Sequence, residues 1–215
     1  MAVKSDNFND NVIDTATFDA TASAGGTVTE VNNRMEIAGT TNDSISVLCT
    51  DITYDFSEPG SAEVNIAAAT TRSENWISVG LENGPFTGTA IDPWNVASAD
   101  VYRWGYAAGD NVAQVKVAGV GTTIFAGAGG GLGSVFKIEF PTTGNDVRFI
   151  SNAVERSSRA TYDLSSRLLY VSLFGYQAGA ALSVFDDWSI TYTAAGGSWL
   201  NRGYWWSQPY GNLAR

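Results

Sequence analysis

The chain has 215 residues and a net charge of −10, and 44% of its residues are hydrophobic while only 16% are charged. An acidic protein repels phosphate groups and anionic lipid headgroups, so the composition argues against nucleic acid and membrane partners. The single cysteine and the absence of histidine exclude an internal disulfide, a cysteine-based zinc site and every catalytic triad that needs an imidazole.

Alternating apolar and polar residues predict β-strands in the first half of the chain. TVTEVN and RMEIAG are expected to form a hairpin, with Asn32 and Asn33 in the turn. SISVLCTDITYDF predicts one long strand or two strands with a kink, and SAEVNIAAAT and NWISVGLEN follow it. After a stretch rich in glycine and proline, the alternation returns in VYRWGYAAGD and NVAQVKVAG.

The second half repeats the pattern more regularly. SVFKIEFP, NDVRFISN, AVERSSRATYD, RLLYVSLFGYQ and ALSVFDDWSITYT follow one another at the short, regular spacing of an antiparallel sandwich or barrel. No segment keeps the apolar period of a helix over three turns, so the fold is expected to be all-β. The large apolar residues expected to fill its core are Val147, Phe149, Tyr170, Val171, Leu173 and Phe174.

Two blocks of the sequence resemble a known group of domains. The opening SDNFNDNVIDTATFD and the closing half, from FKIEFP to FDDWSITY, are similar to concanavalin A-like jelly-roll domains, which include laminin-G domains, legume lectins and laminarinase-like glucanases. The resemblance covers roughly residues 5–193. It implies an antiparallel two-sheet jelly-roll sandwich over residues 1–195, followed by an extended, aromatic-rich tail at 196–215.

The resemblance also bears on catalysis and on metal binding. Glucanases of this superfamily use a strand with alternating carboxylates, and no such pattern occurs here, so we expect no enzyme and no required cofactor. Other members hold a structural calcium near the first and last strands. The positions that match are Asp6, Asp10, Asp186 and Asp187. The alternative is that these aspartates only cap turns and hydrate strand ends.

Tryptophans in the middle of the chain suggest a sugar-binding surface. Trp94 lies in a proline-containing segment with Asp92 and Asn95, and Trp104 follows. An aromatic ring stacks on the apolar face of a pyranose, and short polar side chains bind its hydroxyl groups. The same residues would equally suit a loop that one ring pins to its own domain.

The C-terminal segment carries an unusual cluster of aromatic residues among glycines and polar residues. Exposed tryptophan and tyrosine clusters mark interfaces, because they bury large areas at little cost in rotamer entropy. We therefore expect this tail to bind another copy of the chain or a partner; the alternative is that it packs on its own domain. The residues concerned are Trp199, Tyr204, Trp205, Trp206 and Tyr210.

Two functions fit these features. The N-terminus MAVKSDNFND lacks the apolar core of a signal peptide, and the chain has no run of membrane-spanning length, so synthesis in a host cytoplasm is expected. The first prediction is a non-catalytic bacteriophage virion protein, used for decoration, as a capsid fibre or in the tail. It would form homo-oligomers and contact other virion proteins. The alternative is a carbohydrate-binding adhesion module that recognises a cell-surface glycan.

Overall fold

The structure is a computed structural model, and its regular elements are all β-strands. It describes residues 1–22, 25–39, 42–50, 54–56, 59–69, 73–80, 101–107, 109–117, 120–127, 132–140, 147–159, 168–178 and 181–192. Within these ranges there is no helix, which confirms the all-β prediction. The same ranges accordingly contain no helix long and apolar enough to cross a bilayer.

The strands follow the alternating segments of the sequence closely. In chain order they are β1 (Ala2–Asp6), β2 (Phe18–Ala22), β3 (Gly26–Val31), β4 (Arg34–Gly39), β5 (Asn42–Thr50), β6 (Tyr54–Asp55), β7 (Gly60–Ala69), β8 (Ser73–Gly80), β9 (Val101–Ala107), β10 (Asp110–Val117), β11 (Val120–Gly127), β12 (Ser134–Phe140), β13 (Val147–Ser151), β14 (Val154–Arg159), β15 (Leu168–Ala178) and β16 (Ala181–Tyr192).

Two antiparallel sheets form a sandwich, as predicted. Sheet A has the order β14-β13-β12-β7-β16-β4-β3, and β1 also pairs with β16. Sheet B has the order β11-β10-β9-β8-β15-β5-β2, and β6 also pairs with β15. Strands distant in sequence, such as β7 and β12 or β8 and β15, are therefore neighbours in space.

The first and last described strands close the sandwich. Ala2 pairs with Tyr192 and Asp6 with Trp188, so β1 and β16 share sheet A, as the apolar alternation at the two ends indicates. Trp188 is buried and its ring meets that of Phe18 edge-on, with 4.8 Å between centroids. This aromatic contact joins β16 of sheet A to β2 of sheet B in one core.

The predicted hairpin at the start of the chain is present. Asn32 and Asn33 connect β3 to β4 with φ values of 55° and 59°. Both values lie in the left-handed region, which the short side chain of asparagine tolerates and a two-residue hairpin turn requires. Asn152 and Ala153 repeat this conformation between β13 and β14, with φ values of 48° and 61°.

Of the two alternatives for SISVLCTDITYDF, the structure has two strands, β5 and β6, which pair with different parts of β15. The structure differs from the sequence prediction at two places. Strand β11 was not predicted, because VGTTIFAG has few large apolar residues. Finally, Phe174 and Tyr170 do not join the main core with Val171 and Leu173, since neighbouring residues of a strand point to opposite faces.

Trp104 joins the two sheets through a hydrogen bond and through aromatic packing. Its indole is fully buried, and its Nε1–H donates a hydrogen bond to the Ile150 carbonyl oxygen at 2.7 Å. Because β9 belongs to sheet B and β13 to sheet A, this bond crosses the sandwich. The rings of Phe125, Phe136 and Phe149 surround the indole, with centroids 5.3–6.1 Å away. The assignment of Trp104 to a sugar-binding surface is therefore wrong: its ring fills the core.

Several sequence predictions fall outside the described residues. They concern the loop residues Trp94, Asp92 and Asn95, and the tail at 196–215. The boundary at residue 195 and the interface role of the tail therefore stay predictions.

Two substitutions of Trp104 should distinguish the contribution of its hydrogen bond to stability from the contribution of its packing. We expect Trp104→Phe to lower the free energy of unfolding by about 1–3 kcal/mol, because the Ile150 carbonyl loses its donor. Trp104→Ala also leaves a large cavity and should cost about 3–5 kcal/mol. Urea denaturation measures both, with Val120→Ala at a 70% exposed position as control. A cost below about 1 kcal/mol for Trp104→Ala would contradict the assignment.

Candidate functional site

The outer face of sheet A is a charged, solvated surface. Glu139 forms ion pairs with Lys137 at 3.0 Å and with Arg148 at 3.6 Å, and Arg148 also lies 3.8 Å from Glu155. All four side chains are partly exposed, and exposed ion pairs of this kind contribute little to stability. Nothing in this arrangement is specific to a ligand.

The outer face of sheet B has a different character. Side chains alternate along each strand, so burial of Ile77 on β8 and of Trp104 on β9 turns Trp76 and Arg103 to the outer face. The register aligns these residues across the strands. One row contains Phe174, Trp76, Gly105 and Val112, and the next contains Ser172, Ser78, Arg103, Gln114 and Thr123.

The first row forms an apolar cluster separate from the main core. Trp76 and Phe174 lie opposite each other on β8 and β15, and each is only 1% exposed. Ala107 completes the cluster, and the partly buried Val112 and Tyr170 pack against it. The Trp76 ring is therefore buried and packs against its neighbours. The more exposed side chains of this face lie on β10 and β11.

A chain of polar contacts runs from Trp76 to these more exposed side chains. The guanidinium carbon of Arg103 lies 4.2 Å from the centroid of the Trp76 ring, which is a cation–π contact. Arg103 Nε donates to Gln114 Oε1 at 2.6 Å, and Gln114 Nε2 donates to Thr123 Oγ1 at 3.0 Å. Trp76 Nε1 in turn donates to Glu74 Oε2 at 3.2 Å. The contacts fix the orientation of each side chain from β8 to β11.

Exposure increases steadily along this chain of contacts. Arg103 is 6% exposed, Gln114 is half-buried and Thr123 is exposed. The amide and hydroxyl of the last two residues thus stand at the surface in orientations that buried neighbours determine. This chain of contacts begins at Trp76 in the apolar row and continues through Arg103, Gln114 and Thr123 in the next row. We call these four residues together the polar row.

Gly105 allows strands β8 and β9 to approach closely beside the polar row. A Cβ at this position would lie 1.9 Å from the backbone oxygen of Asn75, a distance that no side chain can adopt. Any other residue would force the two strands apart and displace Trp76 and Arg103. Glycine is therefore a structural requirement of this face.

Sequence reasoning missed most of the polar row. Gln114 and Thr123 are ordinary polar residues in their strands, and only the register places them beside Arg103. One signal was present in the sequence: in ENWISV the apolar Ile77 and Val79 have the same parity, so Trp76 must point to the opposite face.

The acidic residues near the chain's N-terminus form a second region of interest. Asp6, Asp187 and Glu63 line a cavity of about 460 Å³ together with Ser189, whose Oγ donates to Glu63 Oε1 at 3.1 Å. Asp187 has a φ of 46° at an irregularity in the pairing of β16 with β7. The structure thus brings two of the four predicted calcium ligands to one cavity.

The hydrogen bonds of these aspartates agree with the turn-capping alternative. The Oδ1 atoms of Asp6, Asp10 and Asp186 accept from the backbone amides of Phe8, Val12 and Asp187, respectively, at 2.8–3.0 Å. Oxygen donors suit calcium. In the part of the chain that the structure describes, however, no three acidic, histidine or cysteine side chains are grouped so that they could hold a metal ion. The donors fit in kind but do not converge.

Glu30 is a buried carboxyl group beside Asp10. It is 5% exposed, and neither carboxylate oxygen has a well-formed hydrogen bond. Burial, followed by the neighbouring carboxyl groups of Asp10 and Asp6, raises the pKa of Glu30 from 4.5 to about 7, while a backbone hydrogen bond from Asn11 opposes this change. The sequence did not predict this group, because glutamate at an alternating position of a hairpin is usually solvated.

Comparisons with known proteins add information about the fold. The sequence matches no family model and no curated protein. Among solved structures, an endo-acting O-glycanase of the human gut microbiota that initiates mucin breakdown matches with a TM-score of 0.63 and 10% identity, over 90% of this chain and 99% of that one. LamA E269S from Zobellia galactanivorans, in complex with laminaritriose and laminaritetraose, matches with a TM-score of 0.60 and 9% identity, over 88% and 98%.

A third similar structure is a lectin-type domain. The potassium-bound carbohydrate recognition domain of Emp46p matches with a TM-score of 0.57 and 7% identity, over 80% of this chain and 87% of that one. At such identities the likeness establishes the fold alone. This fold is the two-sheet sandwich that the resemblance to concanavalin A-like jelly-roll domains implies. The prediction that the chain is not an enzyme is corrected, because glycan-cleaving proteins share this fold and the fold therefore does not exclude catalysis.

Removing the Glu30 carboxyl should change how stability depends on pH. The folded-state pKa of about 7 lies above the ordinary value of 4.5, so the folded protein binds the proton more tightly, and this group lowers stability as pH rises from about 4.5 to 7. We expect Glu30→Gln, which mimics the protonated form, to stabilise the protein at pH 8 by on the order of 2–3 kcal/mol and to have little effect at pH 4.5.

Urea denaturation in EGTA at both pH values measures this difference. Glu155→Gln removes one exposed carboxylate and serves as the control for net charge. If the stability of Glu30→Gln runs parallel to that of the unmodified protein between pH 4.5 and 8, the account of Glu30 is refuted.

Proposed function

We propose that this chain recognises carbohydrate on the outer face of sheet B. The observation that carries the proposal is the polar row, in which a stacked arginine donates to a half-buried amide and that amide donates to an exposed hydroxyl. Saccharide hydroxyls donate and accept hydrogen bonds, and both Thr123 and Gln114 can do the same. Solved structures with the same fold include a carbohydrate recognition domain and a protein bound to oligosaccharides, which supports this proposal.

The buried end of the polar row explains how such a site would work. Trp76 holds Arg103, Arg103 holds Gln114, and Gln114 holds Thr123, so few rotamers remain to be fixed when a ligand binds. A preorganised site loses less entropy on binding than a mobile one. The partly buried Val112 lies beside Gln114's row and offers an apolar contact for the ring of a sugar.

The carbohydrate interpretation was the alternative from sequence, and it is now better supported than the first prediction. The comparisons lend no support to a phage virion role, and the homo-oligomer and the contacts with other virion proteins also stay predictions. Synthesis in a host cytoplasm and assembly into a virion are likewise proposals, based on sequence alone.

Substitutions in the polar row should remove binding without unfolding the protein. On a glycan array we expect the unmodified protein to bind, and Gln114→Ala and Thr123→Val to bind at least about tenfold more weakly, since each loses a hydrogen bond worth about 1.4 kcal/mol. Thr29→Val removes an exposed hydroxyl from β3 in sheet A and is the matched control. Absence of binding to every glycan, or equal binding by all variants, would refute the proposal.

A structural calcium ion at the cavity lined by Asp6 and Asp187, which the family resemblance implies, stays a prediction, because the described acidic side chains do not converge on one point. The carboxylates and the hydroxyls of Ser5 and Ser189 provide oxygen donors, and backbone carbonyls could complete the coordination. Calcium at 1 mM should then raise the melting temperature relative to EGTA, because it binds only the folded state. Magnesium should have a smaller effect, and Asp187→Asn should abolish the response to calcium. Equal melting temperatures in calcium and EGTA would exclude the site.

A further inference from the structure

Strand β11 (Val120–Gly127) is a terminal strand of sheet B. It pairs with β10 on one side, and among the described strands none pairs with its other edge. In an antiparallel sheet, alternate residues of such a strand direct their N–H and C=O groups away from the neighbouring strand. The edge of β11 therefore presents a row of backbone donors and acceptors to which no described strand is bonded.

The side chains of β11 do not protect this edge. Its sequence, VGTTIFAG, has no charged residue and no proline, although natural sheets commonly place such residues on their edges to oppose pairing with another chain. The other three terminal strands of the two sheets do carry charges: Asp19 on β2, Glu30 on β3, and Glu155 with two arginines on β14. Of these four strands, β11 is the one whose side chains best allow strand pairing.

A β-bulge limits the part of β11 that can pair regularly. The pairing of β11 with β10 skips Ile124, which is an extra residue between Thr123 and Phe125. A bulge bends its strand, so regular pairing with a further strand is expected over residues 120–124, up to the bend. Thr122 lies at the centre of this stretch, and its side chain is exposed.

We propose that two copies of this chain form a dimer in which their β11 strands pair antiparallel about a two-fold axis at Thr122. Thr122 then lies opposite the partner's Thr122, and Val120 lies opposite the partner's Ile124. Opposed residues of an antiparallel pair project to the same face, so the outer faces of the two copies lie on the same side. Sheet B becomes one continuous sheet across the dimer.

A second copy suits this edge because the strand complements itself. The chain carries a net charge of −10, so two copies repel each other in general, but β11 opposes no charge to its own image. Cross-strand pairs of threonine and of β-branched apolar residues are favourable. The contact is isologous and therefore occupies the edge in both copies, so association ends at the dimer and does not continue into fibres.

The dimer would also bring the two polar rows together. Thr123 lies opposite the partner's Gly121 in this register, so the two Thr123 residues are diagonal neighbours with Cα atoms about 7–8 Å apart. The polar rows of both copies then lie on one continuous face, which would accommodate a longer oligosaccharide than one copy does. This consequence rests on the proposed function, whereas the dimer itself does not.

Analytical ultracentrifugation of the whole chain tests the dimer. Five paired residues make a small interface, so we expect a reversible monomer–dimer equilibrium with a Kd on the order of 10 μM and no larger species. Thr122→Lys and Thr122→Glu should each raise this Kd about fivefold, because like charges then face each other across the axis. An equal mixture of the two variants should dimerise more tightly than either alone. Thr29→Lys, on the edge strand β3, is the control and should have no effect.

Cross-linking tests the register directly. Cys49 is the single cysteine of the chain, so Cys49→Ser provides a background in which an introduced thiol is the only one. Opposite Cα atoms of an antiparallel pair are about 4.5–5.5 Å apart, which is within the range of a disulfide. In this background we expect Thr122→Cys to form a covalent dimer on mild oxidation and Thr29→Cys to stay monomeric.

Two results would overturn the inference. If the chain stays monomeric well above that Kd, the edge of β11 does not bind a second copy. If a dimer forms but the Lys, Glu and Cys variants at position 122 behave like the Thr29 controls, the copies meet through another surface, such as the predicted interface at residues 196–215. Either result leaves glycan recognition by one copy untouched, and a chain that binds no glycan can still form the dimer.

Discussion

The indole of Trp104 is the contact on which the arrangement of both sheets depends. Its hydrogen bond to the Ile150 carbonyl and its packing against three phenylalanine rings join sheet B to sheet A. Because alternate residues of a strand point to opposite faces, an inward Trp104 requires an outward Arg103. The core thus determines which side chains of β9 point to the outer face of sheet B.

Arg103 and Glu30 are both buried ionisable groups, and their surroundings differ. Arg103 has an aromatic ring on one side and an amide oxygen as acceptor, so it stays charged and well oriented. Glu30 has two carboxylates as neighbours and no well-formed hydrogen bond, so the neutral form is favoured and the pKa rises to about 7. The first arrangement positions a side chain for binding; the second makes stability depend on pH.

The fold itself is compatible with binding and with cleavage of glycans. Solved structures with this fold include a carbohydrate recognition domain, an endo-acting O-glycanase and a protein in complex with oligosaccharides, at identities of 7–10%. At such distances the sandwich is shared while the side chains on its faces differ, so the chemistry has to be argued from those side chains. In the described strands β8 to β11, the feature that points to a ligand is the polar row.

The sequence by itself determined the all-β class, most strand positions and the turn at Asn32 and Asn33. These features follow from local alternation and from turn chemistry, which a single segment contains. It could not assign faces where two large apolar residues are adjacent, as at Leu173 and Phe174, or where a tryptophan suits core and surface equally, as at Trp104.

Only the tertiary structure decided which distant residues meet. The register between β9, β10 and β11 brings Arg103 to Gln114 and Thr123, and the hairpin from β3 to β4 brings Glu30 close to Asp10. These contacts depend on strand pairing and on loop paths, which no local pattern specifies. The candidate site could not be predicted from any single segment, because its four residues lie on four different strands.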